Sequence, residues 1–332
     1  MMDQSPADTA STPQRGWIDA VDGMRLYREE LPAQGTPRAA LLFAHGFGEH
    51  SGRYAAMSEG LAAQGYSCFR FDFRGHGRSA GIRGHVFSFD GYLRDFAAAR
   101  RYVEARIGDL PLFVLSHSNG ALVAIHAVAA RPEGLAGLVM SSPFFGFSLK
   151  VPKVKAALAR QLSRLVPAFA LPTGLDPTTV SHDPAVVESY RTDPLNVQVA
   201  TGRWFTEAVA AHARVADQAR ALRLPVLLQQ AGDDRIASAA AARAAFDEVG
   251  SADRTFIEYP GFFHEIWFEL ERQRPLADLA AWLDAHGADA VMIDLAGSQA
   301  LRLHRRLDGV TCRLDGRAIG LLGPNGAGKP RS

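Results

Sequence analysis

The chain has 332 residues, 47% of them hydrophobic and 21% charged, which supplies enough apolar material for a large buried core. Its 36 Lys and Arg nearly cancel 35 Asp and Glu, and a formal charge of +1 sets up no global field for gathering phosphates, which argues against a dedicated nucleic-acid binder. Two cysteines, Cys68 and Cys312, cannot make a disulfide framework or a four-ligand zinc site, and no apolar run reaches the ~20 residues that span a bilayer.

Residues 1–16 are polar, without hydrophobic period, and lack the apolar core of a secretory signal, so they read as a mobile tail on a cytoplasmic chain. Beyond them, Arg38–Ala44, Tyr66–Asp72 and Leu112–Leu115 are short apolar runs of the kind that form buried strands. Tyr54–Ala63 and Tyr92–Ile107 place apolar residues three or four apart and predict amphipathic helices. Gly134–Met140, Pro225–Leu228 and Thr255–Tyr259 predict further strands, the Ala-rich run Ala237–Ala245 a helix, and Pro275–His286 a closing helix. Strand and helix in alternation imply an α/β fold, a mostly parallel sheet with helices on both faces.

Ser141–Leu224 interrupts that rhythm with helical and loop-like sequence and no good strand, as a cap of about residues 145–222 inserted before the later strands would. Within it, Val154, Leu158, Leu162 and Leu165 form an apolar stripe, and Lys150, Lys153, Lys155, Arg160 and Arg164 supply only positive charge. Such a stripe can line an acyl pocket, pack on the core or rest peripherally on a lipid surface.

The chemistry centres on Leu112-Phe-Val-Leu-Ser-His-Ser118-Asn-Gly120, where a strand ends, a tight turn carries Ser118 and a small-residue helix begins. That is the context of a nucleophile elbow, although Ser116 stands where G-x-S-x-G has its first glycine. A serine hydroxyl needs a histidine to take its proton and a carboxylate to orient that histidine. The strand from Pro225 runs into a loop with Asp233 and Asp234, and the strand ending at Tyr259 is followed by a glycine-containing turn and His264. The order Ser, Asp, His, each after a strand, is that of an α/β-hydrolase. His117 adjoins the serine and reads as structural. Donors for a developing oxyanion are expected at the backbone N–H of Phe47, in the glycine-bearing turn His45–Tyr54, and of Asn119, at the start of the helix after the serine.

HGFGEHSGRY (45–54), FDFRGHGRS (71–79), the serine elbow, GDDRI (232–236) and PGFFHE (260–265) together closely resemble the monoacylglycerol lipase and lysophospholipase branch of the α/β-hydrolases, with its serine aminopeptidase-type domain. The resemblance covers roughly residues 16–288, and the segment 175–195 is similar to that family's cap. It implies an α/β-hydrolase domain over residues 17–288, with Ser118 as nucleophile, Asp234 as acid, His264 as base, and Phe47 and Asn119 at the oxyanion hole. Asp234 is preferred to Asp233 because the family's acid precedes a basic and an aliphatic residue. The implied activity is hydrolysis of carboxylic esters, monoacylglycerols or lysophospholipids above all, through an acyl-enzyme and without cofactor or metal. An aminopeptidase or thioesterase on the same fold is the alternative, because the triad does not select the leaving group. Arg74, His76 and Arg78 are expected to brace the loop after their strand.

After Gly287 the chain changes character. Gly323–Lys329 fits G-x-x-x-x-G-K, and GLLGPNGAGK resembles the phosphate loop of ABC-transporter ATPases. Pro330 replaces the Ser or Thr that would hold magnesium, so residues 289–332 are expected to be a truncated, non-functional ATPase-like fragment; a nucleotide-binding accessory of a transporter is the alternative from another class.

Overall fold

The computed structural model describes residues 12–148 and 151–287, with the short pair Ile293–Asp294 and Arg302–Leu303. The expected ATPase-like fragment lies outside the described residues apart from that pair, as do residues 1–11.

Eight strands make the central sheet: β1 (Gln14–Asp19), β2 (Arg25–Leu31), β3 (Ala39–Ala44), β4 (Tyr66–Phe71), β5 (Leu112–His117), β6 (Gly137–Ser141), and, beyond the cap pair β7 (Ala170–Pro172) and β8 (Val199–Thr201), β9 (Val226–Ala231) and β10 (Arg254–Tyr259). Their order is β1-β2-β4-β3-β5-β6-β9-β10. From β4 to β10 every pairing is parallel, whereas β2 runs antiparallel to both its neighbours. This is the mostly parallel sheet that alternating strands and helices imply.

Two cores cover it. Ala40, Leu42 and Ala44 of β3 and Leu112 and Val114 of β5 face one core. That core also holds Phe96 and Val103 of α2 (Asp90–Ile107), Leu122 and Ile125 of α3 (Asn119–Ala130), and Phe246 of α8 (Ala239–Asp247). The alternate residues Ala39, Leu41, Phe43, Phe113 and Leu115 face the other, with Leu61 of α1 (Ala55–Ala63) and Leu279, Trp282 and Leu283 of α9 (Gln273–Gly287). Side chains alternating on strands buried on both faces is why these runs are continuously apolar in sequence.

Two differences from the sequence reading concern edges. Gln14–Gly16, assigned to the tail from sequence, belong to β1. The hairpin β1–β2 carries charge that hides it from a hydrophobicity reading: buried Glu29 is satisfied by Arg70 at 2.8 Å, Arg15 at 3.0 Å and the Tyr27 hydroxyl at 2.8 Å.

The cap runs between β6 and β9. It contains α4 (Lys153–Leu165), α5 (Pro184–Thr192), α6 (Gly202–His212) and α7 (Val215–Ala221), of which α7 packs on α3 and belongs to the main body. Contrary to the strandless expectation, β7 and β8 pair antiparallel across the cap; at three residues each, neither can show an alternating pattern. α5 begins at Pro184 behind Asp183, whose carboxylate accepts from the Ala185 N–H, and α6 begins behind Thr201, whose hydroxyl accepts from Trp204 N–H. Among the described residues, no helix is long and apolar enough to cross a membrane.

Three of the four residues of the α4 stripe face solvent, while Leu162 is half-buried against Gly202 of α6. Val154 is 81% exposed, Leu158 52% and Leu165 77%. The helix meets α6 through its small residues as well: Gly202 lies so close that an added Cβ would stand 2.6 Å from the Ala159 carbonyl oxygen.

Candidate active site

Every candidate residue emerges from the carboxyl end of a parallel strand, where α/β sheets place their ligands. Ser118 follows β5 directly, with φ 52° and ψ −119°, a left-handed conformation that a residue with a Cβ adopts only under constraint. The constraint is visible. The Ser118 N–H donates to the Ser141 carbonyl at 3.0 Å, and its own carbonyl accepts from Phe144 N–H at 3.0 Å and Ala121 N–H at 3.0 Å. Gly120 leaves no room for a Cβ, which would collide with the carbonyl oxygens of Ala44 and His45. Ser116, the departure from the usual elbow pattern, crowds nothing: its hydroxyl donates to the Val139 carbonyl of β6 at 2.7 Å.

Asp234 and His264 come together. His264 Nδ1 lies 2.8 Å from Asp234 Oδ2, and both side chains are buried. Asp234 Oδ1 accepts from the Ile236 and Ala237 N–H groups at 2.9 and 2.8 Å, which fixes the carboxylate plane. Burial alone would raise the Asp234 carboxyl, but His264 and these two amides outweigh it and hold it below its ordinary range. Burial likewise opposes a charged His264, and Asp234, Glu265 and Glu49 overcome it, so the imidazole is shifted above its ordinary pKa. Asp233 takes no part: it is exposed and pairs with Arg235.

Asn119 follows the serine directly, and Phe47 follows Gly46, the residue of the β3 turn that approaches it. Asn119 is the first residue of α3, so its N–H is one of the donors a helix start leaves without a partner inside the helix. Phe47 sits in the turn after β3, where Gly46 approaches the serine: a Cβ on Gly46 would be 3.1 Å from Ser118 Cβ. His45 anchors this turn, its Nε2 accepting from Phe73 N–H at 2.9 Å and its Nδ1 donating to the Gly46 carbonyl at 2.7 Å. Burial holds His45 below the ordinary imidazole pKa, consistent with that neutral tautomer.

The loop after β4 is braced as expected. Arg74 forks onto Asp95 at 2.6–3.0 Å and Asp22 at 2.9 Å, and the Arg78 N–H donates to Asp72 at 2.8 Å. His76 lies nearer the site, with its ring centroid 5.0 Å from that of Phe47. His117 also sits closer than its reading as a structural residue suggests. It bonds to Ser141, yet its ring centroid is 4.8 Å from that of His264, and burial, then His264, press its pKa to about 3.

Sequence reasoning missed an aromatic cluster joined to the serine turn through Phe144, whose N–H donates to the Ser118 carbonyl. The ring centroids of Phe47 and Trp204 are 3.9 Å apart, Phe144 lies parallel to Trp204 at 6.2 Å, and Phe147 contacts Phe144 at 4.9 Å and Phe205 at 5.5 Å. The signal available was Phe144-Phe145-Gly-Phe147 immediately after a strand's carboxyl end.

The chain matches the family described as serine aminopeptidase, S33, over residues 35–271. It is 31% identical over 278 residues to the monoacylglycerol lipase of Mycolicibacterium smegmatis, covering 83% of this chain and 99% of that one. It is 32% identical over 254 residues to phospholipase YtpA of Bacillus subtilis, covering 75% of this chain and 96% of that one. The crystal structure of Paleococcus ferrophilus monoacylglycerol lipase superposes with a TM-score of 0.72 at 33% identity, covering 79% of this chain and 99% of that chain. With the mostly parallel sheet and the strand-end loops already described, these matches place the chain: it belongs to the serine aminopeptidase S33 family, among the monoacylglycerol lipase-like α/β-hydrolases.

Proposed function

We propose that this carboxylic ester hydrolase cleaves single-chain lipid esters, monoacylglycerols or lysophospholipids, with Ser118 as nucleophile, His264 as base and Asp234 as its orienting carboxylate. The observation that carries the roles is the buried 2.8 Å contact of His264 with Asp234, at the same carboxyl end of the sheet where Ser118 is held at φ 52°. The Ser118 hydroxyl attacks the ester carbonyl as its proton passes to His264 Nε2. The oxyanion that forms is met by the N–H groups of Phe47 and Asn119. Collapse expels the alcohol, which takes the proton from His264, and leaves the acyl group on Ser118. Water then attacks that ester by the same route, releasing the fatty acid and restoring the serine. Asp234 stays ionised and stabilises the imidazolium at both steps. The substrate class rests on the activities of the relatives, a monoacylglycerol lipase and a phospholipase, and on the apolar cluster of Phe144, Phe147, Trp204 and Phe205 near the serine turn, which suits one acyl chain better than a peptide.

The test is a hydrolysis panel of monoacylglycerols, lysophospholipids, acyl thioesters and aminoacyl amides, run with the full chain and Ser118→Ala. Turnover of the single-chain esters, abolished in Ser118→Ala, supports the reading; preferred cleavage of amides or thioesters moves it to the alternative on the same fold.

A second reading concerns the outer face of α4, which meets an anionic lipid surface. Val154, Leu158 and Leu165 are exposed, Lys153, Lys155, Arg160 and Arg164 are the helix's only charges, and Val166 and Phe169 extend the apolar surface beyond it. Burying one such aliphatic side chain contributes about 1.5–3 kcal/mol, and each Lys or Arg near an anionic surface about 1 kcal/mol. The two terms are comparable, so binding should weaken, but not vanish, as salt screens the charges. Co-sedimentation with phosphatidylglycerol vesicles should fall with ionic strength and with Leu158→Glu; equal sedimentation of both chains at all salt concentrations would contradict it.

A further inference from the structure

One buried ionic cluster beside the site is not used by the proposed chemistry. Arg53, in the turn between Phe47 and α1, has a side chain only 7% exposed. Its guanidinium forks onto Glu265, with Nη1 to Oε1 and Nη2 to Oε2 both 2.6 Å, across 212 residues of sequence. Nη1 also donates to Glu49 Oε2 at 3.0 Å. The other oxygen of Glu49 accepts from the Gly46 N–H at 2.5 Å and from the Tyr54 hydroxyl at 2.7 Å. The Glu265 N–H, in turn, donates to the Val180 carbonyl of the cap at 2.9 Å. Rings of Phe268 and Tyr190 lie 5.0 and 5.3 Å from the guanidinium carbon.

These contacts form a chain with a direction. Gly46 precedes Phe47, the proposed oxyanion donor, and Glu265 follows His264, the proposed base. The two loops leave β3 and β10, which have β5, β6 and β9 between them in the sheet, so the sheet alone leaves their tips free to move independently. Ester cleavage needs both at once, because oxyanion and imidazolium develop in the same transition state. A buried ion pair gives little net stability, since desolvation offsets most of its attraction, but its fork geometry can fix an arrangement. We infer that Arg53 is a positioning residue that locks the oxyanion loop to the histidine loop through Glu49 and Glu265; this rests on the serine-hydrolase reading above.

The cluster also bears on charge. Two carboxylates and one guanidinium leave one net negative charge near His264. The charged and titratable groups around that imidazole are Asp234 from the loop after β9, His117 from the end of β5, Glu265 beside it and Glu49 from the loop after β3, with Arg53 bound between the two glutamates. Burial opposes the imidazolium, while Asp234, Glu265 and Glu49 all support it. Replacing Glu265 by an amide therefore removes support for the charged base and splits the bidentate pair: the shift of the acid limb reports the lost charge, and the fall in turnover reports the broken clamp, which a bystander ion pair would not cause.

The experiment compares Arg53→Met, Arg53→Lys and Glu265→Gln with the parent full chain in monoacylglycerol hydrolysis, counting folded molecules by size-exclusion chromatography and near-UV circular dichroism so that unfolded ones do not enter kcat. Arg53→Met should lower kcat per site by about 10- to 100-fold, the scale of a small misplacement of catalytic groups, with KM nearly constant because the loss falls on the transition state. Arg53→Lys should recover part of it. Glu265→Gln should lower kcat and move the acid limb of kcat/KM to lower pH, and it carries the test if Arg53→Met does not fold. Parental kcat per site in Arg53→Met, or parental kcat and acid limb in Glu265→Gln, would overturn the inference. Ser118→Ala in the same series separates the failures: if it stays active, the serine-hydrolase reading itself is wrong, and if it is inactive while Arg53→Met turns over normally, only the clamp is.

Discussion

His264 Nδ1 lies 2.8 Å from Asp234 Oδ2, while Asp233, one residue earlier, is at the surface and pairs with Arg235 at 3.1 Å. Adjacent carboxylates in one loop are thus separated by burial and partner into two different chemistries. Asp234→Asn should lower kcat by about 10³- to 10⁴-fold, because an amide cannot stabilise the imidazolium and can hold the wrong tautomer. Asp233→Asn breaks an exposed pair of the kind that contributes about 0–1 kcal/mol, and should leave kcat near that of the parent. Steady-state kinetics of the two purified variants decide it; the reverse ranking would reassign the acid.

The pH dependence follows from the same contact. As the proposed base, His264 must be neutral to accept the Ser118 proton, and the neighbouring carboxylates shift its pKa above the ordinary 6.5. Activity should therefore fall as pH drops through a value above 6.5, while Asp234, shifted the other way, stays ionised across that window. The residual activity of Asp234→Asn should show this acid limb at lower pH, since the carboxylate that most supports the imidazolium is gone. A kcat/KM profile whose acid limb lies below pH 6.5 in the parent chain would contradict the assignment of His264.

The elbow makes opposite demands on its two flanking small residues. Ser116 uses its hydroxyl only to bond the Val139 carbonyl, so Ser116→Ala should cost about 1 kcal/mol of stability and leave kcat unchanged. Gly120→Ala forces a Cβ against two backbone carbonyl oxygens that cannot move without shifting β3, and overpacking of that kind costs about 1–3 kcal/mol or more. Thermal melts of the two variants should rank Gly120→Ala as much the less stable. Equal melting temperatures would mean that helix and strand are less tightly apposed than described.

The sheet and the order of the site loops were legible because strands buried on both faces are continuous apolar runs, and because a strained serine turn demands small neighbours. Other features were hidden for physical reasons. The β1–β2 hairpin buries Glu29 in ion pairs, so its sequence looks like surface. Periodicity showed that α4 has an apolar face but not what that face meets: Leu162 turns to α6, and Val154, Leu158 and Leu165 are left exposed. The contacts of Phe47 with Trp204 and of Arg53 with Glu265 join distant segments whose meeting depends on how the cap and loops pack, which no local pattern records.

Residues 289–332 should be dispensable for hydrolysis. Every proposed catalytic group lies at or before His264, and α9, which closes the sheet with Leu279, Trp282 and Leu283, ends at Gly287. A chain ending at Ala288 should keep kcat/KM within about twofold of the parent, a change worth only a few tenths of a kcal/mol. A large loss, or tight binding of Mg–ATP by the full chain, would mean that the segment is part of the working enzyme.

The most direct measurement is the site of covalent labelling. A fluorophosphonate reacts with a serine only where a base activates it and amides receive its oxyanion, so it reports the whole proposed constellation at once. Intact mass and peptide mapping of the labelled full chain should show one adduct per molecule, on Ser118, with ester hydrolysis lost in proportion to labelling. An adduct on another residue, or full hydrolysis by chains whose Ser118 is already modified, would contradict the assignment of Ser118 as the nucleophile.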